Sequence, residues 1–221
     1  MSTARERILE RLRQGAARRA LHPPATTERE ADWIALQPPL GDLGAHFIAA
    51  QEAVGGKVIQ VPSWEALPEA VAPWMREYKV ASAITGTPPA LGPLRTHLAG
   101  RLGIRLRIYD RPIEEMDEAL WETDCGITTA RAAIADTGSL VIRPGPEEPR
   151  LLSLSVPIHL VLVERGKLYA RLYDYLCAGD YARDLPTNEF LVTGASRTAD
   201  IEQTLTIGVH GPKVFLVALI G

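Results

Sequence analysis

The heptapeptide VFLVALI, residues 214–220, constrains the fold more than any other stretch of the chain. Seven consecutive apolar positions cannot form a strand with one wetted face, so both faces must be covered. HLVLVE (159–164) repeats the pattern, and KVIQVP, VASAITG, RLRIYD, SLVIRP and FLVTG are shorter versions of it. Between them lie segments of helical period: DLGAHFIAAQEAV with Asp42 as N-cap, PLRTHLAG, IEEMDEALWE, GITTARAAIAD, KLYARLYDYL and ADIEQTL. SWEALPEAVAPWMREY is also helical in period, and its internal prolines are expected to divide it. Strands covered on both faces and separated by helices predict an α/β fold, a mostly parallel sheet flanked by helices.

The amino-terminal part reads differently. Residues 3–20 predict a helix in which Thr3 and Glu6 fit a capping box and Ile8, Leu12 and Ala16 share a face. HPPATTEREADWIALQPP follows as a tether with two proline pairs. The expected organisation is an amphipathic helix and Pro-rich tether over 1–41 and an α/β domain over 42–221. Residues 1–20 carry a net charge of +4 while the whole chain carries −3, so the body is acidic. A basic arm on an acidic body can contact nucleic acid or a membrane. This one lacks interleaved aromatics and a dense basic run, so packing on the body or on a partner subunit is the favoured expectation. Self-association stays open.

Composition excludes several classes. Charged residues begin at the fifth position, which does not fit a secretory signal, and no run approaches the roughly 20 apolar residues of a membrane span. A cytoplasmic location is the expectation. Cys125 and Cys177 stand 52 residues apart with no CxxC, so this chain alone cannot ligate a zinc ribbon or an iron–sulfur cluster. No metal site and no cofactor of its own are expected. GxGxxG, GxxxxGK[ST], GxSxG and HExxH are all missing from the sequence.

Three junctions are rich in small and hydroxyl residues, and each is open to an anion-binding or a purely structural reading. AITGTPPALG (83–92) offers Thr85, Gly86 and Thr87 after a strand. DCGITTARAAIADTGSLVI (124–142) offers Gly126 and Thr128 at an expected helix opening, then Asp136, Thr137 and Gly138 at its close. FLVTGASRTADIE (190–202) offers Gly194, Ser196, Arg197 and Thr198 at another expected helix start. Ser196 or Thr198 caps that helix, and Asp200 and Glu202 suit its dipole. Arg197 has the wrong sign there, which suggests an anion between the two. GVHGP supplies His210, the best acid/base candidate on its unperturbed pKa. Asp136 is the second proton-moving candidate, and His159 reads as a core or rim histidine.

GITTARAAIADTGSLVI, PIHLVLVE and FLVTGASRTADIEQTLTIGVHGP, in that order, resemble the LUD-domain family, specifically its lactate utilization protein C group. The resemblance covers roughly residues 42–221 and is strongest over 124–221. It implies a fold like the NagB/RpiA/CoA-transferase group and a part in a multi-protein system that oxidises L-lactate to pyruvate. Iron–sulfur and oxidoreductase subunits would be the partners, with a small anionic ligand in this chain. It transfers a location to Gly126, Thr128, Asp136, Thr137, Gly138, His159, Gly194, Ser196, Arg197, Thr198, Asp200, Glu202, His210, Gly211 and Pro212, and no mechanism. A stand-alone isomerase or acyl/CoA-transferase-like enzyme acting on a phosphate- or carboxylate-bearing molecule is the alternative. The related CoA-transferases use a catalytic Glu, for which the sequence offers no clear match.

Overall fold

The computed structural model describes residues 3–21, 37–111, 115–116, 121–179, 181, 183–199 and 205–221. The chain divides into two compact units, Met1–Pro39 and Leu40–Gly221. In the first, helix α1 (Ala4–Leu21) opens with the expected reciprocal cap. Thr3 N donates to Glu6 Oε2 at 2.7 Å, and Glu6 N donates to Thr3 Oγ1 at 3.3 Å.

The second unit begins with helix α2 (Leu43–Ala53), capped by the Asp42 carboxylate through Gly44 N and Ala45 N. Strand β1 (Lys57–Val61), helix α3 (Leu67–Glu77), strand β2 (Ser82–Thr85), helix α4 (Gly92–Gly100) and strand β3 (Arg105–Ile108) follow. Then come β4 (Cys125–Thr129), β5 (Ala132–Ile134), β6 (Ser139–Ile142), the short helix α5 (Leu151–Leu154) and β7 (Ile158–Glu164). The chain closes with β8 (Leu168–Tyr169), helix α6 (Leu172–Ala178), β9 (Phe190–Val192), β10 (Arg197–Ala199), β11 (Leu205–Ile207) and β12 (Val214–Ile220).

Six strands form one sheet in the order β1-β12-β7-β4-β2-β3. Every pairing in it is parallel. The two long apolar strands are its centre: β7 and β12 pair along seven positions, from Val214↔Ile158 to Ile220↔Glu164. Leu160, Leu162, Leu216 and Ala218 pack with Val71 and Met75 of α3 and with Leu94 and Leu98 of α4. The intervening residues Val161, Val163, Phe215, Val217 and Leu219 pack with Phe47 of α2 and with Ala133, Leu140 and Ile142. Those last three belong to a second sheet of four strands, β8-β5-β6-β9, laid over the first. Burial on both faces is the reason these strands are apolar at every position.

Four sequence expectations are corrected. SWEALPEAVAPWMREY contains one unbroken helix, α3, with Pro68 in its first turn and Pro73 inside it. Burial of Leu67, Val71, Trp74 and Met75 on one face offsets the hydrogen bond that Pro73 cannot make. GITTARAAIAD is not a helix but strands β4 and β5. KLYARLYDYL divides into β8 and α6. The expected helix over ADIEQTL is replaced at both ends by strand, since Ala199 ends β10 and Leu205 begins β11; residues 200–204, with Asp200 and Glu202, lie outside the described residues. Most of the IEEMDEALWE expectation also falls outside them.

Candidate functional site

Two of the three stretches that the sequence marks as possible anion cradles converge on the carboxyl end of α2, which leads through Gly55 and Gly56 into the amino end of β1. The β5–β6 turn places Gly138 at φ +67°, and a Cβ there would stand 2.8 Å from Gln51 N. Gln51 is fully buried and donates from Nε2 to the Gly138 carbonyl. Gly194, at φ +78°, lies against Val54. Arg197 donates from Nη2 to the Val54 carbonyl, at the helix C-cap. A chain of hydroxyls ties the turn to the end of β9: Thr137 Oγ1 lies 2.9 Å from Ser139 Oγ, which lies 2.6 Å from Thr193 Oγ1. Arg197 thus sits at a helix C-terminus, where a cation has the favourable sign, and no anion is needed to explain it.

The remaining candidates are dispersed. Gly126 is buried in β4, and a Cβ there would stand 2.0 Å from the Leu152 carbonyl oxygen, so the glycine lets α5 pack directly on the strand. Thr128 Oγ1 lies 2.9 Å from Nε2 of His159. His159 is fully buried, packs edge-on against Phe215 at 5.5 Å, and has no partner for Nδ1 among the described residues. Burial pushes its pKa down to about 3, so the imidazole is neutral. Asp136 is exposed on the hairpin turn. Thr198 pairs with Thr206 in the β10–β11 ribbon, and Ser196 N donates to Pro212 O at 2.8 Å. His210 is exposed in a separate groove of about 460 Å³ with Trp121, Leu154, Pro157 and Lys213. Lys213 N and Val214 N both donate to Pro157 O, which puts that groove at the amino ends of β7 and β12.

The opposite end of the sheet holds a residue that sequence reading missed. The strand order reverses at β2 and β4, because the chain steps outward from β2 to β3 and then returns to β4. Crevices at the carboxyl ends of such strands are where open α/β sheets bind ligands. Here the loop PGPEEP (144–149) crosses that crevice. Thr87 N donates to Glu147 O at 2.8 Å, and a Cβ on Gly86 would stand 2.0 Å from the same oxygen. Arg95 Nη1 donates to Gly86 O at 2.9 Å. The Glu148 carboxylate accepts from Thr129 N at 2.8 Å and from Thr129 Oγ1. Burial pushes the Glu148 carboxyl above its ordinary range, against the pull of both Thr129 bonds. The only local signal was an acidic pair between prolines.

The LUD domain family model matches residues 44–220. The chain belongs to the LUD domain family. A Neisseria meningitidis protein named as uncharacterized is 33% identical over 186 residues, spanning 79% of this LUD domain chain and 76% of that protein. Lactate utilization protein C of Halalkalibacterium halodurans is 32% identical over 104 residues, 45% of each chain, so the match spans about half of that relative. Lactate utilization protein C of Bacillus licheniformis is 24% identical over 190 residues, 83% of this chain and 68% of the relative. The crystal structure of a DUF162 family protein from Deinococcus radiodurans aligns with a TM-score of 0.61 at 20% identity, covering 83% of this chain and all of that one. At that identity the likeness speaks for the fold of the LUD domain alone. No described helix is long and apolar enough to cross a membrane.

Proposed function

We propose that this LUD domain chain is a cytoplasmic subunit of a lactate utilization system, taking part in oxidation of L-lactate to pyruvate beside iron–sulfur and oxidoreductase partners and holding a small anionic ligand. The observation that carries the reading is the similarity to relatives named lactate utilization protein C, at 32% identity over 104 residues in one and 24% over 190 in another. Oxidation of L-lactate removes two electrons and two protons, and the electrons must reach an acceptor. Cys125 lies buried in β4 and Cys177 exposed on α6, so these thiols cannot hold a cluster together. Electron-carrying centres would therefore belong to partners. The test is reconstitution: L-lactate oxidation with an artificial electron acceptor, measured with the chain alone, the partners alone and the mixture. The reading expects turnover only where the partners are present, and turnover by the isolated chain would sink it.

A second reading, a stand-alone isomerase or acyl/CoA-transferase-like enzyme, is favoured by Glu148. A partly buried carboxyl with a raised pKa at a strand-order reversal is suited to moving a proton on a bound carboxylate or phosphate compound. Glu148→Gln keeps the shape and one acceptor oxygen. If activity of the purified chain on such compounds is found and survives Glu148→Gln, that reading falls.

A further inference from the structure

A cavity of about 240 Å³ opens between the outer face of the four-stranded sheet and α6. Three cations line it, Arg131, Arg143 and Lys167, together with Tyr169, Tyr175 and the carboxylate of Asp184. Their charges are not equally available. Arg143 is held by Glu189 at 3.0 Å and by Asp184, and its side chain is only 19% exposed. Glu189 also accepts from Tyr175 and Tyr181, both at 2.7 Å. Against burial, which pushes it up, bonds from Tyr181, Tyr175 and Arg143 hold the Glu189 carboxyl below its usual range. In this network one guanidinium faces two carboxylates, so Arg143 offers no spare positive charge. Arg131 is different: it has no acidic group within 4.0 Å among the described residues, and Lys167 has only Glu164, at 3.4 Å with both side chains nearly half exposed. An exposed pair of that kind contributes little and leaves the ammonium free to turn to a ligand.

Position adds a second argument. Arg131 lies two residues beyond the carboxyl end of β4, and Lys167 three beyond that of β7, the adjacent strand of the parallel sheet. The spare positive charge therefore stands at the end of the sheet where α/β folds seat their ligands. Arg131 and Lys167, standing beside an aromatic wall whose carboxylates are turned to Arg143, select an oxyanion, and the volume admits only a compact one. We propose that this pocket binds a small carboxylate or phosphate, with Arg131 and Lys167 as its charge-bearing contacts. The inference rests on the small-anion reading above and gives that ligand a seat away from Arg197.

The test is isothermal titration of the full chain with inorganic phosphate and, separately, with L-lactate, at fixed ionic strength. Saturable binding of either probe is expected, weakened about tenfold or more by Arg131→Ala and by Lys167→Ala. Arg101→Ala, an exposed arginine paired with Glu69 outside the pocket, should leave it unchanged. A response to phosphate alone assigns a phosphate-bearing ligand, and a response to L-lactate alone a carboxylate. Absence of saturable binding for both probes, or binding that survives both pocket substitutions, overturns the proposal. Neither result touches the subunit reading, which reconstituted lactate oxidation tests separately.

Discussion

The buried histidine makes the sharpest prediction, because its protonation is opposed by the whole fold. His159 is 0% exposed and its pKa in the folded chain is pushed down to about 3, whereas an unfolded histidine titrates near 6.5. Between those values the unfolded chain binds a proton that the folded chain refuses, so stability falls as pH falls. The contribution is complete above about 6.5, and each pH unit below that costs about 1.4 kcal/mol. At pH about 5 this one side chain should therefore have removed about 2 kcal/mol. His159→Gln abolishes the titration while leaving an amide within reach of Thr128 Oγ1, which lies 2.9 Å from Nε2 in the native chain. Guanidinium unfolding of both chains, followed by circular dichroism at pH about 7.5 and about 5, isolates the difference, since all other titrations are common to the two. Whatever the substitution costs at neutral pH, the wild type should lose about 2 kcal/mol more than the variant on acidification. Parallel losses in the two chains would refute a neutral, desolvated His159.

Three further outcomes follow from contacts at the amino end of the sheet. Gly126→Ala would push a Cβ to 2.0 Å from the Leu152 carbonyl, so it should cost at least about 3 kcal/mol and lower the Tm on the order of 10 °C in calorimetry. Asp124→Ala removes the acceptor shared by Ala81 N, Ser82 N and Ser82 Oγ at 2.9, 2.8 and 3.0 Å, which should lower denaturant-measured stability by about 2 kcal/mol; a change within error would mean that water replaces the carboxylate. Arg197→Ala frees the Val54 carbonyl at the end of α2, with an expected loss of about 1 kcal/mol. An unchanged thermal midpoint combined with lost anion binding would return Arg197 to the ligand.

The long strands were legible because nothing else accommodates their pattern. VFLVALI and HLVLVE are too short for a buried helix of ordinary length and too apolar for a half-wet strand, and they became the paired centre of the sheet. GITTARAAIAD was ambiguous for a physical reason: Ile127, Ala130 and Ile134 meet helical spacing, while full burial of β4 and β5 removes the polar alternation that marks a strand. The β-branched run Ile127-Thr128-Thr129 was the better signal, since such side chains suit a pleated surface. That misreading also hid the pocket. Helical spacing puts Arg131 on a helix, and its meeting with Lys167 depends on a parallel β5–β8 pairing that no local pattern encodes. Glu148 was hidden similarly, because its partner Thr129 belongs to a strand and its own loop has no periodicity.

Arg197 carries the more general lesson about motif chemistry. Its charge suggested an anion only because a helix was expected to begin beside it; in β10 it meets the opposite end of a different helix, and the electrostatic argument changes sign. Gly138 meets the same last turns of α2 through Gln51, and Gly194 through Val54. Two segments far apart in sequence, the β5–β6 turn and residues 194–197, thus grip one helix end, and that helix delivers Phe47 into the core under β7 and β12. A requirement for glycine at positive φ, for a small turn and for a guanidinium follows from that grip alone, without a ligand. Arg131, which has no acidic partner among the described residues, and Lys167, held only by an exposed pair with Glu164, take no part in this joint, and charge so weakly engaged is the stronger reason to look for a ligand at the carboxyl end of the sheet.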